Sequence, residues 1–388
     1  MKKNNISFVG TKCFGCRACE QACPVGCIVM VENSEGFLYP KIDNDKCVDC
    51  GLCLKTCSAC DETIGIEPLK VYAANSKNQE ILRASSSGGL SEIFAKDTIN
   101  CGGIVYGVGY DNNLRVCHLR CTTNFDLQKI RGSKYVFGDT LDSYSKVQKD
   151  LLENKKVLYF GTPCQISGLE HFLKKKYENL TTISLICHGA PSNKAFNFEI
   201  KYIEDKYKSK ISNFEFRNKD IIGWGYFIKI TFVNGKIVYL RPTQDRYFSD
   251  FLKSGINYRE SCYLCKYSNP KRVGDICIGD FWGINSNILQ TSNGVSSVII
   301  NTRKGLIKFE AIKNQIEYEE KKYKELLDRQ TNLKHCTVRN KDRDRYYNIL
   351  DSNYFIEVKE PLKIKIKFLI KQHTPKKIKK FVKKILKK

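Results

Sequence analysis

Nineteen cysteines stand in a chain of 388 residues, and twelve of them fall at positions that suit metal chemistry. The stretch CFGCRACEQACPVGC sets Cys13, Cys16, Cys19 and Cys23 in the pattern Cys-x2-Cys-x2-Cys-x3-Cys, with Pro24 behind the last. CVDCGLCLKTCSAC repeats the pattern with Cys47, Cys50, Cys53 and Cys57. A cubane of four irons and four sulfides needs four thiolates converging on one point. Three at two-residue gaps wrap one face of it from a tight loop, and the fourth must come from elsewhere. Zinc sites use paired Cys-x2-Cys units instead, so two complete runs point to two [4Fe–4S] clusters. Gly15 and Gly51, read as equivalent positions of the two runs, relieve crowding where backbone folds against sulfide. Cys27 and Cys60 are left over, and both are expected to pack as small buried thiols. Radical S-adenosylmethionine chemistry is set aside, because Cys19-x3-Cys23 has no Cys-x2 partner after it.

The other four thiols lie far apart, so secondary structure must gather them. KVLYFGTPCQISGLEHFLKKKYENLTTISLICHGAPS, from Lys156, reads as strand, turn, helix, strand. Val157 to Phe160 and Thr182 to Ile186 are short apolar strands, and Ile166, Leu169, Phe172 and Leu173 mark the inner face of the helix. Such a unit is a right-handed parallel crossover. Cys164 then lies just past the first strand and Cys187 at the end of the second, on the carboxyl edge where open α/β sheets take ligands. Cys262-x2-Cys265 alone suits half a zinc site or a redox dithiol; joined to Cys164 and Cys187 it completes a third cage. Cys117, Cys121 and Cys277 read as strand core, and Cys336 has no evident partner.

Anion contacts are the second theme. ASSSGGLSEIF leads from Ser85, Ser86 and Ser87 through Gly88 and Gly89 into a helical stripe, which is either a phosphate cradle or an ordinary serine-capped helix. Arg131, Gly132, Ser133 and Lys134 form another loop suited to an anion. GGIVYGVGYDN holds Gly107-x-Gly109 but neither a third glycine nor a following helix, so a nicotinamide-binding fingerprint is rejected. His188, beside Cys187, is a candidate for proton delivery. It is equally a group hydrogen-bonded to a cluster or to backbone, and Asp280 and Trp282 are as easily structural as functional. Asn234-Gly235 marks a hairpin, and the chain from about 303 reads as a helical packing layer.

The composition is that of a water-soluble protein, 42% hydrophobic, with no apolar run long enough to span a bilayer and no apolar segment of the kind export signals carry. Clustered thiols without such a signal place the chain in a reducing compartment, read as the cytoplasm. The net charge is +24. Twelve lysines and no acidic residue lie in 361–388, residues 1–66 net −1, and the middle keeps +13. No nucleic-acid-binding signature accompanies this charge, so nucleic acid is not expected as a partner. In TPKKIKKFVKKILKK, Thr374 caps, Pro375 starts, and Ile378, Phe381, Val382, Ile385 and Leu386 recur at helical spacing. The tail reads as a basic amphipathic helix for an anionic membrane surface, or as a solvated end.

The N-terminal runs resemble bacterial-type ferredoxin domains with two [4Fe–4S] clusters. There the fourth ligand crosses over, which implies one cage of Cys13, Cys16, Cys19 and Cys57 and another of Cys47, Cys50, Cys53 and Cys23. Ser58 stands where the repeat would have proline. The motifs SSSGG, RGSKYV, GTPCQISGL, CHGAPS and CYLCKYSNPKRVGDICIGDFWG, in that order, resemble the beta subunits of coenzyme F420-reducing hydrogenases and dehydrogenases and their relatives. FGD, 137–139, departs from the usual ending after RGSKYV. The resemblance implies FAD near Ser87, Gly88 and Gly89, with Arg131, Ser133 and Lys134 as further contacts. It also implies a cluster on Cys164, Cys187, Cys262 and Cys265. The expected architecture has several domains of α+β and α/β type. A two-cluster ferredoxin-like domain (1–66) precedes a mixed α/β flavin- and cluster-binding domain (67–345) and a basic helical tail (346–388). The expected function is an iron–sulfur flavoprotein oxidoreductase that exchanges electrons with a redox partner protein and acts on a small organic substrate or deazaflavin. The rival is an electron-transfer subunit with no substrate chemistry of its own.

Overall fold

The computed structural model describes residues 4–62 and 64–353. The basic stretch 361–388 and its expected helix lie outside the described residues. Among those described, no helix is long and apolar enough to cross a membrane.

The N-terminal part is built around its cysteines. Short helices α1 (Ala18–Gln21) and α2 (Leu52–Lys55) each follow a Cys-x2-Cys turn, and the hairpin β1 (Ile28–Glu32)–β2 (Leu38–Ile42) lies between them. Its small core consists of Ile6, Val9, Ile28 and the thiols themselves. A fold with so little hydrocarbon depends on its metal centres for stability.

The remainder is a mixed α/β body. In chain order it comprises β3 (Lys70–Ser76), α3 (Gln79–Ala84), α4 (Leu90–Asn100), β4 (Ile104–Tyr110), β5 (Val116–Cys121), α5 (Leu127–Ile130), α6 (Ser143–Leu152), β6 (Val157–Gly161), α7 (Pro163–Leu173) and β7 (Leu180–Leu185). It continues with α8 (Asn193–Tyr207), β8 (Ile211–Asn218), β9 (Phe227–Phe232), β10 (Ile237–Leu240), α9 (Arg246–Lys253), β11 (Ile276–Asp280), β12 (Ser296–Ile300), α10 (Arg303–Glu310), β13 (Ile316–Glu320), α11 (Tyr323–Leu327) and α12 (Arg343–Asn353). Eight strands form the main sheet in the order β13-β3-β12-β11-β7-β6-β4-β5. The neighbours β11, β7, β6 and β4 run parallel, and every other pairing in the sheet is antiparallel.

The β6–α7–β7 crossover forms as the apolar pattern requires, with β6 and β7 in parallel register from Val157–Leu180 to Gly161–Ser184. Alternation sends Tyr106, Val157 and Tyr159 to one face under α6 and α7, and Val105, Leu158 and Phe160 to the other under α4 and α10. The β9–β10 hairpin turns at Asn234-Gly235, and β8–β9–β10 form a separate sheet packed with α8, α9 and α12.

Four expectations are corrected. IEYEE is not helical: its Ile316 is buried and Glu317 exposed, and the segment pairs with β3 as an edge strand. The serines do not cap α4; Gly89 does, in the left-handed region, while Ser85 turns back to the Ile81 carbonyl at 2.7 Å. Cys60 is exposed, whereas Cys27 is buried. Helix α12 runs through the expected boundary at 345/346, with Tyr346, Tyr347 and Leu350 in the core.

Candidate functional site

The folded N-terminal part gathers its thiols in the crossed arrangement. One cavity is lined by Cys13, Cys16, Cys19 and Cys57, here cage one; another by Cys47, Cys50, Cys53 and Cys23, cage two, with Cys27 beside them. Contrary to expectation, Gly15 and Gly51 are not equivalent positions. Gly15 (φ 70°) matches Asp49 (φ 51°), and Arg17 (φ 58°) matches Gly51 (φ 72°), so each run makes two left-handed turns and spends its glycine on a different one. Both turns are needed to aim successive thiols at one point. The Gly15 amide donates to Cys13 Sγ at 3.3 Å.

Cage one faces inward. Cys13 and Cys19 are each only 8% exposed, and α1 packs against α7 of the main body. Gly168 of α7 sits so close that a Cβ there would lie 2.9 Å from Cys16 Sγ. Cage two faces outward: Cys50 is exposed, and Val48 is 62% exposed beside it.

Cys164, Cys187, Cys262 and Cys265, here called cage three, are brought near one another by the crossover and a separate turn. Thr162 and Pro163 open α7, with the Thr162 amide bonded to Gln165 Oε1 at 3.0 Å, so Cys164 is presented from a fixed first turn. Cys187 follows β7 directly, and the Cys262–Cys265 turn closes from a short 3-10 turn at 260–262. Each of these buried thiols lies within the electrostatic reach of others in the set. Burial, and then the charge of neighbouring thiols, raises Cys187 to about 11 and drives Cys164 and Cys262 higher. In cage one, burial likewise raises Cys16 to about 11. Bare thiolates are thus disfavoured in both places, and a cationic core is what would ionise them together. Cys336 lies beside this set, donating to the Tyr263 carbonyl at 2.9 Å.

Cages one and three share a seam. Cys16, Cys164 and Cys265 line one apolar cluster with Ala18, Phe14 and Tyr267, and the rings of the last two are 5.6 Å apart. Lys266 crosses it to donate to the Ser58 carbonyl at 2.7 Å. Arg17, in the left-handed turn between Cys16 and Ala18, reaches the fully buried Asp139 at 2.5 Å, and Arg115 binds the same carboxylate. Burial alone would raise Asp139, but the two guanidiniums outweigh it and hold its pKa below the usual carboxylate value. FGD at 137–139 therefore serves the joint between the two parts.

At the carboxyl ends of β6, β7 and β11 opens a cleft of about 280 Å³. Ser87, Gly89, Arg131, Ser133 and Lys134 line one end, and Cys187 and His188 another. The Ser133 amide donates to Ser86 Oγ at 2.9 Å, which joins the two candidate anion loops. Gly88 lies behind the wall, giving its amide to Ser296 Oγ at 3.0 Å. The Ser87 hydroxyl is engaged by the Val295 carbonyl at 3.1 Å, and the Lys134 ammonium folds back onto the Arg131 carbonyl at 2.7 Å. Arg131 is paired with Glu92 at 2.7 Å. The loop thus offers backbone amides and the α4 N-terminus more than free side-chain cations. His188 lines the cleft with its side chain exposed to it, and desolvation by the surrounding protein lowers its pKa from the usual histidine value.

On the far wall the sequence pointed to Asp280 and Trp282 but not to Arg217, Trp224 or Lys219. Arg217 donates to Asp280 at 3.0 Å and to Tyr135 Oη at 2.9 Å, and lies over the Tyr226 ring at 4.5 Å. Trp224 stacks on Trp282 at 4.3 Å and donates to Asp280 at 3.2 Å. Lys219 is buried among the carbonyls of Leu82, Ser87 and Asn293, at 2.6 to 2.7 Å, and so fixes the serine loop from behind. The available signal was the alternation in FEFRNK, which sets Phe214 and Phe216 on one face and Arg217 and Lys219 on the other.

Residues 154–325 match the family model for the C terminus of the coenzyme F420 hydrogenase/dehydrogenase beta subunit, and residues 12–59 match the 4Fe-4S dicluster domain. The F subunit of the F(420)H(2) dehydrogenase of Methanosarcina mazei is 25% identical over 321 residues, covering 79% of this chain and 83% of that protein. A chain of the F420-reducing [NiFe] hydrogenase complex from Methanosarcina barkeri is similar at 17% identity and a TM-score of 0.44, over 67% of this chain and 84% of that one. The chain thus joins a 4Fe–4S dicluster domain to a stretch that matches the C-terminal domain of coenzyme F420 hydrogenase/dehydrogenase beta subunits.

Proposed function

We propose that this chain is an iron–sulfur flavoprotein oxidoreductase with three [4Fe–4S] cages and FAD in the cleft. The observation that carries the reading is that Cys187 belongs both to the third cage and to the cleft wall. Electrons held on that cage are then one wall away from whatever occupies the cleft. FAD, when bound, supplies the exchange between single electrons and a hydride. The chain's own residues do the rest. Backbone amides of the Gly89 turn and the 131–134 loop suit a diphosphate, and Lys219 holds the first of these loops in shape. Arg217, clamped by Asp280 and covered by aromatic rings, is a fixed positive charge facing the cleft. His188, on the cleft wall, stands where a proton would be taken up or released with a hydride equivalent.

The domain limits we propose are a cluster-binding part to residue 66 and a catalytic body from 67 through the end of α12. Ile66 is pinned to Arg272 by two backbone bonds of 2.9 and 2.8 Å, which suits a fixed joint. The substrate class is a small organic molecule or a deazaflavin, in keeping with the names of the relatives. One of those relatives is a subunit of a dehydrogenase, and this favours a second reading in which the chain only passes electrons. Anaerobic purification with iron, sulfide and flavin analysis tests the first: about twelve irons and one flavin per chain are expected. Iron near eight removes the third cluster, and absence of flavin leaves the second reading.

A further inference from the structure

The cores of the two parts contain arginines that differ in one respect. Arg343 and Arg217, 0% and 5% exposed, each have a carboxylate partner: Glu35 at 2.7 Å and Asp280 at 3.0 Å. Arg259 and Arg272, 1% and 2% exposed, have none within ion-pair distance among the described residues. Arg259 Nε donates to the Cys13 carbonyl and Nη2 to the Leu38 carbonyl, both at 2.7 Å. Its Nη1 is buried without a partner and lies against Gly15, where a Cβ would be 3.0 Å away. Phe37, Tyr39 and Phe137 surround the guanidinium at 5.5, 4.2 and 5.7 Å. The Arg259 backbone closes the third cage as well, since its carbonyl accepts from the Cys262 amide at 2.9 Å. Arg272 gives Nη1 to the Tyr267 and Asn269 carbonyls at 2.9 and 3.0 Å, while its Nε is buried and unpartnered.

A charge enclosed in aromatic and backbone surroundings is strongly disfavoured unless an opposite charge lies close. Carbonyl dipoles offset part of that cost, and no anionic side chain offsets the rest. The anions available here are thiolates. Arg259 borders Cys13 and acts electrostatically on Cys16 and Cys262; Arg272 acts on Cys187. A cubane held by four thiolates carries net negative charge, and net charge is one of the levers that set its potential.

We propose that Arg259 and Arg272 are the counter-cations of the buried iron–sulfur centres, Arg259 shared between cages one and three and Arg272 serving cage three alone. They hold the two inward centres at less negative potentials than burial would give them. Cage two, open to solvent, needs no such cation. The inference rests on the reading that both inward cages hold clusters, and iron content separates failure of that reading from failure of this one.

The test is a redox titration of the full chain followed by electron paramagnetic resonance. A soluble paramagnetic relaxing agent identifies the exposed centre. In Arg259→Gln, with iron unchanged, both inward signals shift to more negative potential and the exposed one stays. In Arg272→Gln only one inward signal moves. Arg259→Lys and Arg272→Lys return each signal towards its wild-type value, which a purely structural role would not produce. Unmoved potentials in iron-replete Gln variants overturn the proposal. Should the Gln variants lose iron, the charge-retaining variants decide: Arg259→Lys and Arg272→Lys are expected to keep full iron and near wild-type potentials, and loss of iron from these Lys variants as well overturns the proposal.

Discussion

Cages one and two share one cysteine spacing, yet the fold gives them opposite surroundings. Cage one is pressed into the seam, with Cys16 against Gly168, Arg17 locked to Asp139 and Arg259 covering Gly15. Cage two looks outward past exposed Cys50 and Val48, with Asn5 donating to Cys47 Sγ at 3.8 Å and to Asp49 at 3.1 Å. The difference lies outside the cysteines. At the matching turn positions, the first run carries Arg17 where the second carries Gly51. An arginine held in the left-handed region is an uncommon choice for a turn, and here it reaches a buried carboxylate of the other part. The same ligand pattern is thus buried at the joint in one copy and open to solvent in the other; under the proposed function the first would be an inner relay and the second an outward port.

The comparison breaks most visibly if a relay ligand is removed. Cys16→Ala is expected to lower iron from about twelve to about eight per chain and to disconnect an external one-electron donor from the cleft; Cys50→Ala costs the same iron but leaves the inward signals in place. Iron analysis with spectroscopy of each variant checks both. Next comes the joint itself. Asp139→Ala strands two guanidiniums and is expected to cost about 3–5 kcal/mol in denaturant unfolding. Because the folded Asp139 pKa is lowered, its stabilisation is present above the ordinary carboxylate pKa of about 3.9 and is lost as pH falls through the lower folded value. Acid unfolding of wild type should therefore be steeper than that of Asp139→Asn.

A smaller effect sharpens the assignment of the cleft. If His188 moves a proton, His188→Gln slows turnover about 10²–10⁴-fold with flavin retained and removes a limb of the pH profile. If it only packs against Phe251, at 6.5 Å, the change stays within a few-fold. Lys219→Met should act differently, loosening flavin binding without changing iron, because it frees the carbonyls of Leu82, Ser87 and Asn293; flavin release on dilution measures it.

What could be read in advance follows from how local each feature is. In cages one and two the triplets Cys13, Cys16, Cys19 and Cys47, Cys50, Cys53 were legible from local spacing, while the crossed fourth ligands, Cys57 and Cys23, came from the resemblance to two-cluster ferredoxin domains. Cage three needed topology: parallel β6 and β7 had to end at one edge before Cys164 and Cys187 could meet Cys262 and Cys265. The serine loop was visible as a turn, but its true cap, Gly89, was hidden because several consecutive residues satisfied the same helix-start pattern. The segment IEYEE was misread because its glutamates suit a helix as well as an exposed edge strand, and only pairing with β3 decides. Arg217, Arg259 and Arg272 stayed invisible for a different reason. In a chain with 65 lysines and arginines, nothing local separates a buried cation from a surface one.

The central claim is the order of the cages, from the exposed one through the seam to the cleft, and one experiment meets it directly. A one-electron donor too large to enter the cleft is mixed with flavin-loaded wild type and with Cys16→Ala, and the flavin absorbance is followed. The account predicts rapid bleaching in wild type and none in Cys16→Ala, while a small hydride donor bleaches both alike. Equal bleaching of the two proteins by the large donor would contradict it.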